Sequence, residues 1–388
     1  MWYFKSPQIV FGEGALCHLE TVSEQKFFIV TDANMLQLGY VQQVQEVLAA
    51  AGKEARVFSE VEPEPCLETV RRCAAEMEAF HPNWVIGLGG GSCMDAAKIS
   101  WFIYERPDVD LEGINPLEEY GLRAKARLMT IPTTAGSGSE VSQAALIKDV
   151  GARRKLELAS WEIMADVTLV DPQFSAHMPP QLTADSGIDV LAHAVDVYHS
   201  NWANDYVDGL ALQAARLVFT YLTRAVARGA EDMEAREKMA NAATIAGLAF
   251  GNSNISLTHA LSHSTGAIFP IPHGRLSGLF LAYAIEYTAN GGSGRTVELA
   301  HALGLCDGDE AQSAASLAQA VRELLRKIGQ PASLADAGIS RESLEGELEA
   351  LCDRAEMDLG MVVARRMPYR DELQRLFRYA WEGKRVDF

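Results

Sequence analysis

Near residue 180 the hydrophobic pattern of this chain changes period, and that change limits the fold more than any single motif. Before it, short apolar runs alternate with helical stretches. FFIVTD (27–32), EARVF (54–58), WVIGLGG (84–90), RLMTIPTT (127–134) and VTLVDP (167–172) read as strands, with helices predicted between them, over 40–52 and 66–80 for example. Several of these runs are apolar throughout, as strands of a parallel sheet covered on both faces must be. Strand and helix in alternation imply a parallel sheet with helices on both sides. After HMPPQLTADSG (177–187) almost every segment has helical periodicity, including 208–227, 313–329 and 371–383, and Pro179 and Pro180 mark the change. The expected architecture is an α/β domain over 1–180 with a Rossmann-like parallel sheet, followed by an all-α domain over 181–388. A chain of 388 residues is long enough for both cores.

Charge narrows the partners. The formal net charge is −18, which opposes binding to nucleic acid or an anionic membrane, because phosphate recognition needs clustered Lys and Arg. A hydrophobic content of 48% with 22% charged residues fits a soluble globular protein, and no apolar run is long enough to span a bilayer. The opening MWYFKSPQIVFGEGAL lacks a basic segment followed by an apolar one, so no secretory leader is expected. Six scattered cysteines without a CxxC pair suggest reduced thiols, and hence a cytoplasmic protein rather than a disulfide framework.

Three strand ends carry polar or glycine-rich loops. In VIGLGGGSCMDAAK (85–98) an apolar strand runs into Gly89, Gly90, Gly91 and Ser92, and a helix follows. Glycines let backbone approach a phosphate, and a helix N-terminus offers unpaired N–H donors. A tight turn alone would also explain that loop. IPTTAGSGSE (131–140) supplies a second such loop, with Thr133, Thr134 and Ser137 as candidate ligands. Asp32, at the end of a third strand, could accept hydrogen bonds from ribose hydroxyls, although an aspartate there is commonly a cap. Taken together, the three point to a dinucleotide site.

The helical half concentrates its histidines. Three of the nine fall in HALSHSTGAIFPIPH (259–273). A pair spaced i, i+4 shares a helix face, which suits metal ligation but also occurs as ordinary satisfied polar residues. DSGIDVLAHAVDVY (185–198) adds Asp189 and His193, also i, i+4. Asp185 reads as a helix cap, while Asp196 and His199 are assigned to solvent or local hydrogen bonds. One carboxylate with two or three imidazoles suits a divalent first-row metal such as iron or zinc.

At this point the chain resembles the iron-containing (group III) alcohol dehydrogenases, within the dehydroquinate synthase-like fold. The resemblance rests on FGEGAL, GGGSCMDAAK, PTTAGSGSEVS, MPPQLTADSGIDVLAHAVDVY and HALSHSTGAIFPIPHG, in that order. It implies metal ligands at Asp189, His193, His259 and His273, and a catalytic-site role for His263 near nicotinamide and substrate. It also implies pyrophosphate at Gly89 to Ser92, cofactor contacts from Thr133 and Thr134, and Lys155 close to the ribose. The activity implied is a metal-dependent NAD(P) alcohol dehydrogenase or aldehyde reductase, with Fe2+ or alternatively Zn2+, in a homodimer or larger homo-oligomer. A zinc polyol dehydrogenase of the glycerol type and a dehydroquinate synthase-like lyase are the competing readings.

Three departures from the family pattern bear on specificity. Asn254, Ser256 and Thr258 precede His259 where small or apolar residues are frequent, which points to a small, polar primary alcohol. Glu64 stands where asparagine is usual, and Cys93 replaces a common proline. Asp32, with no Arg or Lys nearby in TDANMLQLG, predicts NAD(H) over NADP(H).

Overall fold

A computed structural model describes residues 3–116, 118–151 and 154–388, with the side chains of Arg154 and Lys155 also outside the described set. The chain divides into two compact units, Met1–His177 and Met178–Phe388.

The first unit is built on a six-stranded sheet. Its strands are β1 (Gln8–Phe11), β2 (Lys26–Val30), β3 (Glu54–Phe58), β4 (Trp84–Gly89), β5 (Arg127–Pro132) and β8 (Val167–Val170), in the order β1-β8-β5-β4-β2-β3. All pairings are parallel. Strand β4 is buried at every position and β2 at all but its first, which accounts for their apolar runs. The helices Tyr40–Ala50, Leu67–Phe80 and Gly91–Glu105 connect β2 to β3, β3 to β4 and β4 to β5. Because β4 lies between β2 and β5, the segments leaving the C-terminal ends of these three strands are neighbours. An antiparallel hairpin, β6 (Ala144–Asp149) with β7 (Arg154–Ala159), forms a separate sheet.

The second unit is helical, as its periodicity predicts. The helix Pro180–Tyr198 is buried on nearly all sides, including at Asp185, Asp189, His193 and Asp196. Around it lie Asp205–Arg228, Met233–Gly251 and His273–Ala289, and the ten-residue helix Leu257–Gly266 packs on His273–Ala289. A core of Leu257, Leu261, Phe280, Leu351 and Phe377, among others, holds the C-terminal helices to these two. Among the described residues no helix is long and apolar enough to cross a membrane. All six cysteines are free.

Two residues of this unit differ from expectation. Helix Pro180–Tyr198 begins at Pro180 with proline in its first turn, so Asp185 is not a cap. It is instead a buried residue in a two-pronged ion pair with Arg275, at 3.0 Å for both contacts, and it accepts from Gln330 at 2.8 Å. His199 is likewise buried, against Thr296 at 3.2 Å, and burial lowers its pKa to about 4.

Candidate metal centre and nucleotide loops

Asp189 and His193 stand one turn apart on Pro180–Tyr198, His259 lies in the first turn of Leu257–Gly266, and His273 begins His273–Ala289. Three helices thus bring four donors together, with the ligating atoms all within 4.8 Å of one another. His259 Nε2 is 3.6 Å and His273 Nε2 3.5 Å from Asp189 Oδ1, while His193 Nε2 is 3.9 Å from Asp189 Oδ2. Ligands at metal bonds of about 2.0–2.2 Å in a tetrahedron would be separated by about 3.4 Å, so the cluster is close to the required spacing.

Glycine makes this assembly possible. A Cβ on Gly274 would lie 2.2 Å from the Asp185 carbonyl oxygen and 3.1 Å from Asp189 Cβ. Only glycine lets the start of His273–Ala289 rest directly on Pro180–Tyr198. The Arg275–Asp185 ion pair closes the same junction.

The cluster is electrostatically incomplete. Asp189 Oδ1, His193 Nδ1 and His259 Nε2 are buried with no hydrogen-bond partner. Orphaned buried groups of this kind cost about 1–3 kcal/mol each, and a divalent cation would satisfy those that face it. The pKa shifts point the same way. Burial would raise Asp189, but the surrounding imidazoles of His273, His193 and His259 hold it well below the usual carboxylate range. Burial lowers His193 to about 4, keeping it neutral and able to donate a lone pair. Burial would lower His259 too, yet the carboxylates of Asp189 and Asp196 prevail and lift it to about 9. Those two carboxylates favour positive charge beside the His259 ring.

His263 takes another position. Its Nδ1 is 2.8 Å from Asp358 Oδ2, and its side chain is 38% exposed. Asp358 also caps the short helix Leu359–Val363 through Gly360 N–H, at 2.7 Å.

Asp196 was missed by the sequence reading. It is buried, and its bonds are long-range rather than local. Its carboxylate accepts the backbone N–H groups of Ser256, Thr258 and His259, and lies 2.8 Å from His259 Nδ1. Ser256 Oγ donates to the Asp196 carbonyl at 3.1 Å. Ser256 thus turns towards Asp196, which leaves Thr258, with its hydroxyl buried, and half-buried Asn254 as the polar candidates of that run.

In the first unit the structure brings the strand-end residues together. Gly89 has φ +149°, and a Cβ there would meet Cys93 Sγ at 2.5 Å. A Cβ on Gly90 would touch Thr134, and one on Gly91 would touch Ser137. Thr133 N–H donates to Gly89 carbonyl at 2.9 Å, and Thr133 Oγ1 is buried without a partner. Helix Gly91–Glu105 has no side-chain cap at Gly90, so its first N–H groups are free to meet an anion. Asp32 caps the helix Ala33–Gln37 through Oδ1, and its Oδ2 lies 3.4 Å from the Cys93 thiol. Lys155 lies in β7, and its side chain is outside the described residues.

Two residues of this region escaped notice. Half-buried Asp95 accepts from Ser139 Oγ at 2.6 Å, and buried Lys98 donates to Ser139, Ser142 and Ala144. They fasten the second loop to the helix that begins at the first. Burial brings the Lys98 pKa down to about 8. Their signal was two charges three residues apart in a helix whose only other charge is at its last residue. Glu64 has φ 55°, a left-handed conformation that asparagine tolerates far better, with its N–H near Ser92 Oγ and its carboxylate paired with Lys148.

Comparison with known proteins shows the family. Residues 6–172 match the family model "Iron-containing alcohol dehydrogenase" and residues 183–381 match "Fe-containing alcohol dehydrogenase family, C-terminal". The chain is 34% identical to an NADPH-dependent butanol dehydrogenase of Clostridium saccharobutylicum, over 100% of both chains. It is 38% identical to aldehyde-alcohol dehydrogenase 2 of Entamoeba histolytica over 84% of this chain, and spans only 40% of that longer protein. An alcohol dehydrogenase structure from Oenococcus oeni superposes with a TM-score of 0.90 at 30% identity, covering 98% of this chain and 100% of that one.

Proposed function

Because this chain belongs to the iron-containing alcohol dehydrogenase family, we propose that Asp189, His193, His259 and His273 hold its metal for interconversion of a small primary alcohol and its aldehyde. The observation that carries this reading is the buried set of unpartnered donors, one carboxylate oxygen among imidazole nitrogens. Family membership favours Fe2+, and the donor set also accepts Zn2+. When bound, the metal supplies Lewis-acid polarisation of the substrate oxygen.

The chain's own residues supply the rest. Gly89 to Ser92 and the free N–H groups that follow cradle the cofactor pyrophosphate, with Thr133, Thr134 and Ser137 lining the second loop. His263 carries the proton. Asp358 holds its Nδ1, and the half-exposed ring can pass a proton on to solvent. Anaerobic reconstitution with Fe2+ or Zn2+, followed by alcohol and aldehyde panels with both nicotinamide cofactors, tests the whole reading. Steady NAD(P)H formation from an alcohol only in the metal-loaded protein supports it, and equal activity in the metal-free protein overturns it.

For the substrate, Phe250, whose ring is centred 4.8 Å from that of His193, offers an apolar wall to a short carbon chain. Asn254 is the candidate for a second polar group. Replacing it with leucine is expected to lower kcat/KM for 1,2-propanediol relative to 1-propanol by about 2–10-fold, the worth of one hydrogen bond. An unchanged ratio removes Asn254 from the pocket.

For the cofactor we propose NAD(H), on the charge of Asp32. Its carboxylate lies at the end of β2, beside the glycine loop through Cys93. A 2′-phosphate there would meet a like charge, at a cost on the order of a few kcal/mol, or at least tenfold in affinity. The butanol dehydrogenase relative is named as NADPH-dependent, so the preference is argued for this chain alone. Asp32→Gly is expected to raise kcat/KM for NADP(H) at least tenfold with little loss of stability, because glycine replaces an N-cap at a cost of a few tenths of a kcal/mol. Equal kcat/KM for the two cofactors in the unmodified protein sinks the assignment.

A further inference from the structure

We infer that Asp196 is a positioning residue of the metal centre, fixing the ring of His259 with Nδ1 protonated so that a bare Nε2 faces the cation. The inference rests on the reading of His259 as a ligand. An ionised carboxylate only accepts hydrogen bonds, and Asp196 is surrounded by donors. Its Oδ2 accepts from Ser256 N–H at 2.9 Å and His259 N–H at 3.1 Å, and its Oδ1 accepts from Thr258 N–H at 3.2 Å. The His259 ring nitrogen 2.8 Å away must therefore be a donor. In a neutral imidazole that leaves Nε2 without a proton, and Nε2 is the buried atom with no partner, 3.6 Å from Asp189 Oδ1.

The placement of Asp196 makes this more than a chance contact. It follows Asp189 by seven residues and His193 by three on Pro180–Tyr198, so one helix carries two ligands and the carboxylate that orients a third. The backbone N–H groups it accepts open helix Leu257–Gly266, where Ser256 makes no side-chain cap of its own. One carboxylate thereby fixes both where the His259 backbone sits and how its ring is turned.

The experiment uses the full chain with Co2+ as probe, measuring its dissociation constant against a chelator together with its visible ligand-field spectrum. Asp196→Asn is expected to weaken Co2+ binding by about 10–100-fold and to alter the spectrum. Ser256→Ala removes a side-chain bond between these two segments that does not involve the Asp196 carboxylate, Ser256 Oγ to Asp196 carbonyl. It is expected to lower thermal stability while leaving Co2+ affinity and spectrum unchanged. Affinity within threefold of the unmodified protein in Asp196→Asn, or an equal loss in both variants, overturns the inference. If Asp196→Asn does not fold, histidine-selective 15N spectra of the Zn2+-loaded protein decide it. An Nδ1–H tautomer at His259 supports the inference and an Nε2–H tautomer overturns it. Failure of the ligand reading looks different, because His259→Ala would then keep full Co2+ affinity.

Discussion

Replacing His259 with alanine is expected to yield a protein that folds and binds nicotinamide dinucleotide but retains no stoichiometric metal and oxidises no alcohol. The proposed nucleotide residues belong to Met1–His177, whereas His259 belongs to Met178–Phe388, so the losses should separate. His273→Ala should behave alike, since both imidazoles face Asp189 Oδ1 at 3.6 and 3.5 Å. Metal binding is also a stability term. At a free concentration one hundred times Kd, a cation that binds only the folded chain adds about 2.7 kcal/mol, and neither variant should gain it. His263→Ala should part company with them, keeping the metal and its stabilisation while the rate falls by about 10²–10⁴-fold, as for loss of a general acid or base. Metal analysis, thermal melts with and without metal, and steady-state rates check all three. An empty site in His263→Ala beside a full one in His259→Ala would reverse the assignment.

What the sequence made legible follows from the range of the interactions involved. The sheet was readable because buried parallel strands are apolar throughout, and the three strand-end loops because their glycines and hydroxyls sit directly after those runs. The hairpin β6–β7 was not assigned. Charged residues such as Lys148 and Asp149 interrupt it and it forms a two-stranded sheet of its own, so it lacks the apolar run that marks the main sheet. The i, i+4 pair Asp189 and His193 was local and visible. Asp196 was equally visible in principle, since seven residues is two turns of helix less about 20°, which returns to the same stripe. Placing it off that stripe, with solvent or local partners, was the error. Asp185 was misread as a cap because the helix start was placed at that residue instead of at Pro180. Ser256 and Thr258 lay beyond local reasoning. Their partner is some sixty residues earlier, and a polar run before a ligand looks the same whether it faces a substrate or a buried carboxylate.

The same distinction between local and long-range causes makes Gly274 the most sensitive position near the centre that donates no ligand atom. Nothing in the IPHG segment shows why glycine should follow His273, and the answer lies far earlier in the chain, in the Asp185 carbonyl. A methyl group on Gly274 would stand 2.2 Å from that oxygen and 2.9 Å from its carbon. These are backbone atoms of Pro180–Tyr198, so no rotamer change relieves the clash, and the two helices must move apart. The Arg275–Asp185 ion pair, with both contacts at 3.0 Å, resists that movement and turns it into strain. Gly274→Ala is therefore expected to cost about 1–3 kcal/mol of stability, as overpacking does. The larger effect falls on the metal, because His273 is the adjacent residue and moves with the backbone. Separating it from Asp189 by about 1 Å would break a bond only about 2 Å long, so affinity should fall at least as far as in His273→Ala. Gly209→Ala provides the comparison. Gly209 is an exposed helical glycine whose added Cβ meets nothing within 4 Å, so that variant should be slightly stabilised, by up to about 1 kcal/mol, with full metal content. A Gly274→Ala protein that binds metal as the unmodified chain does would mean that His273 is set by something other than the contact of these two helices.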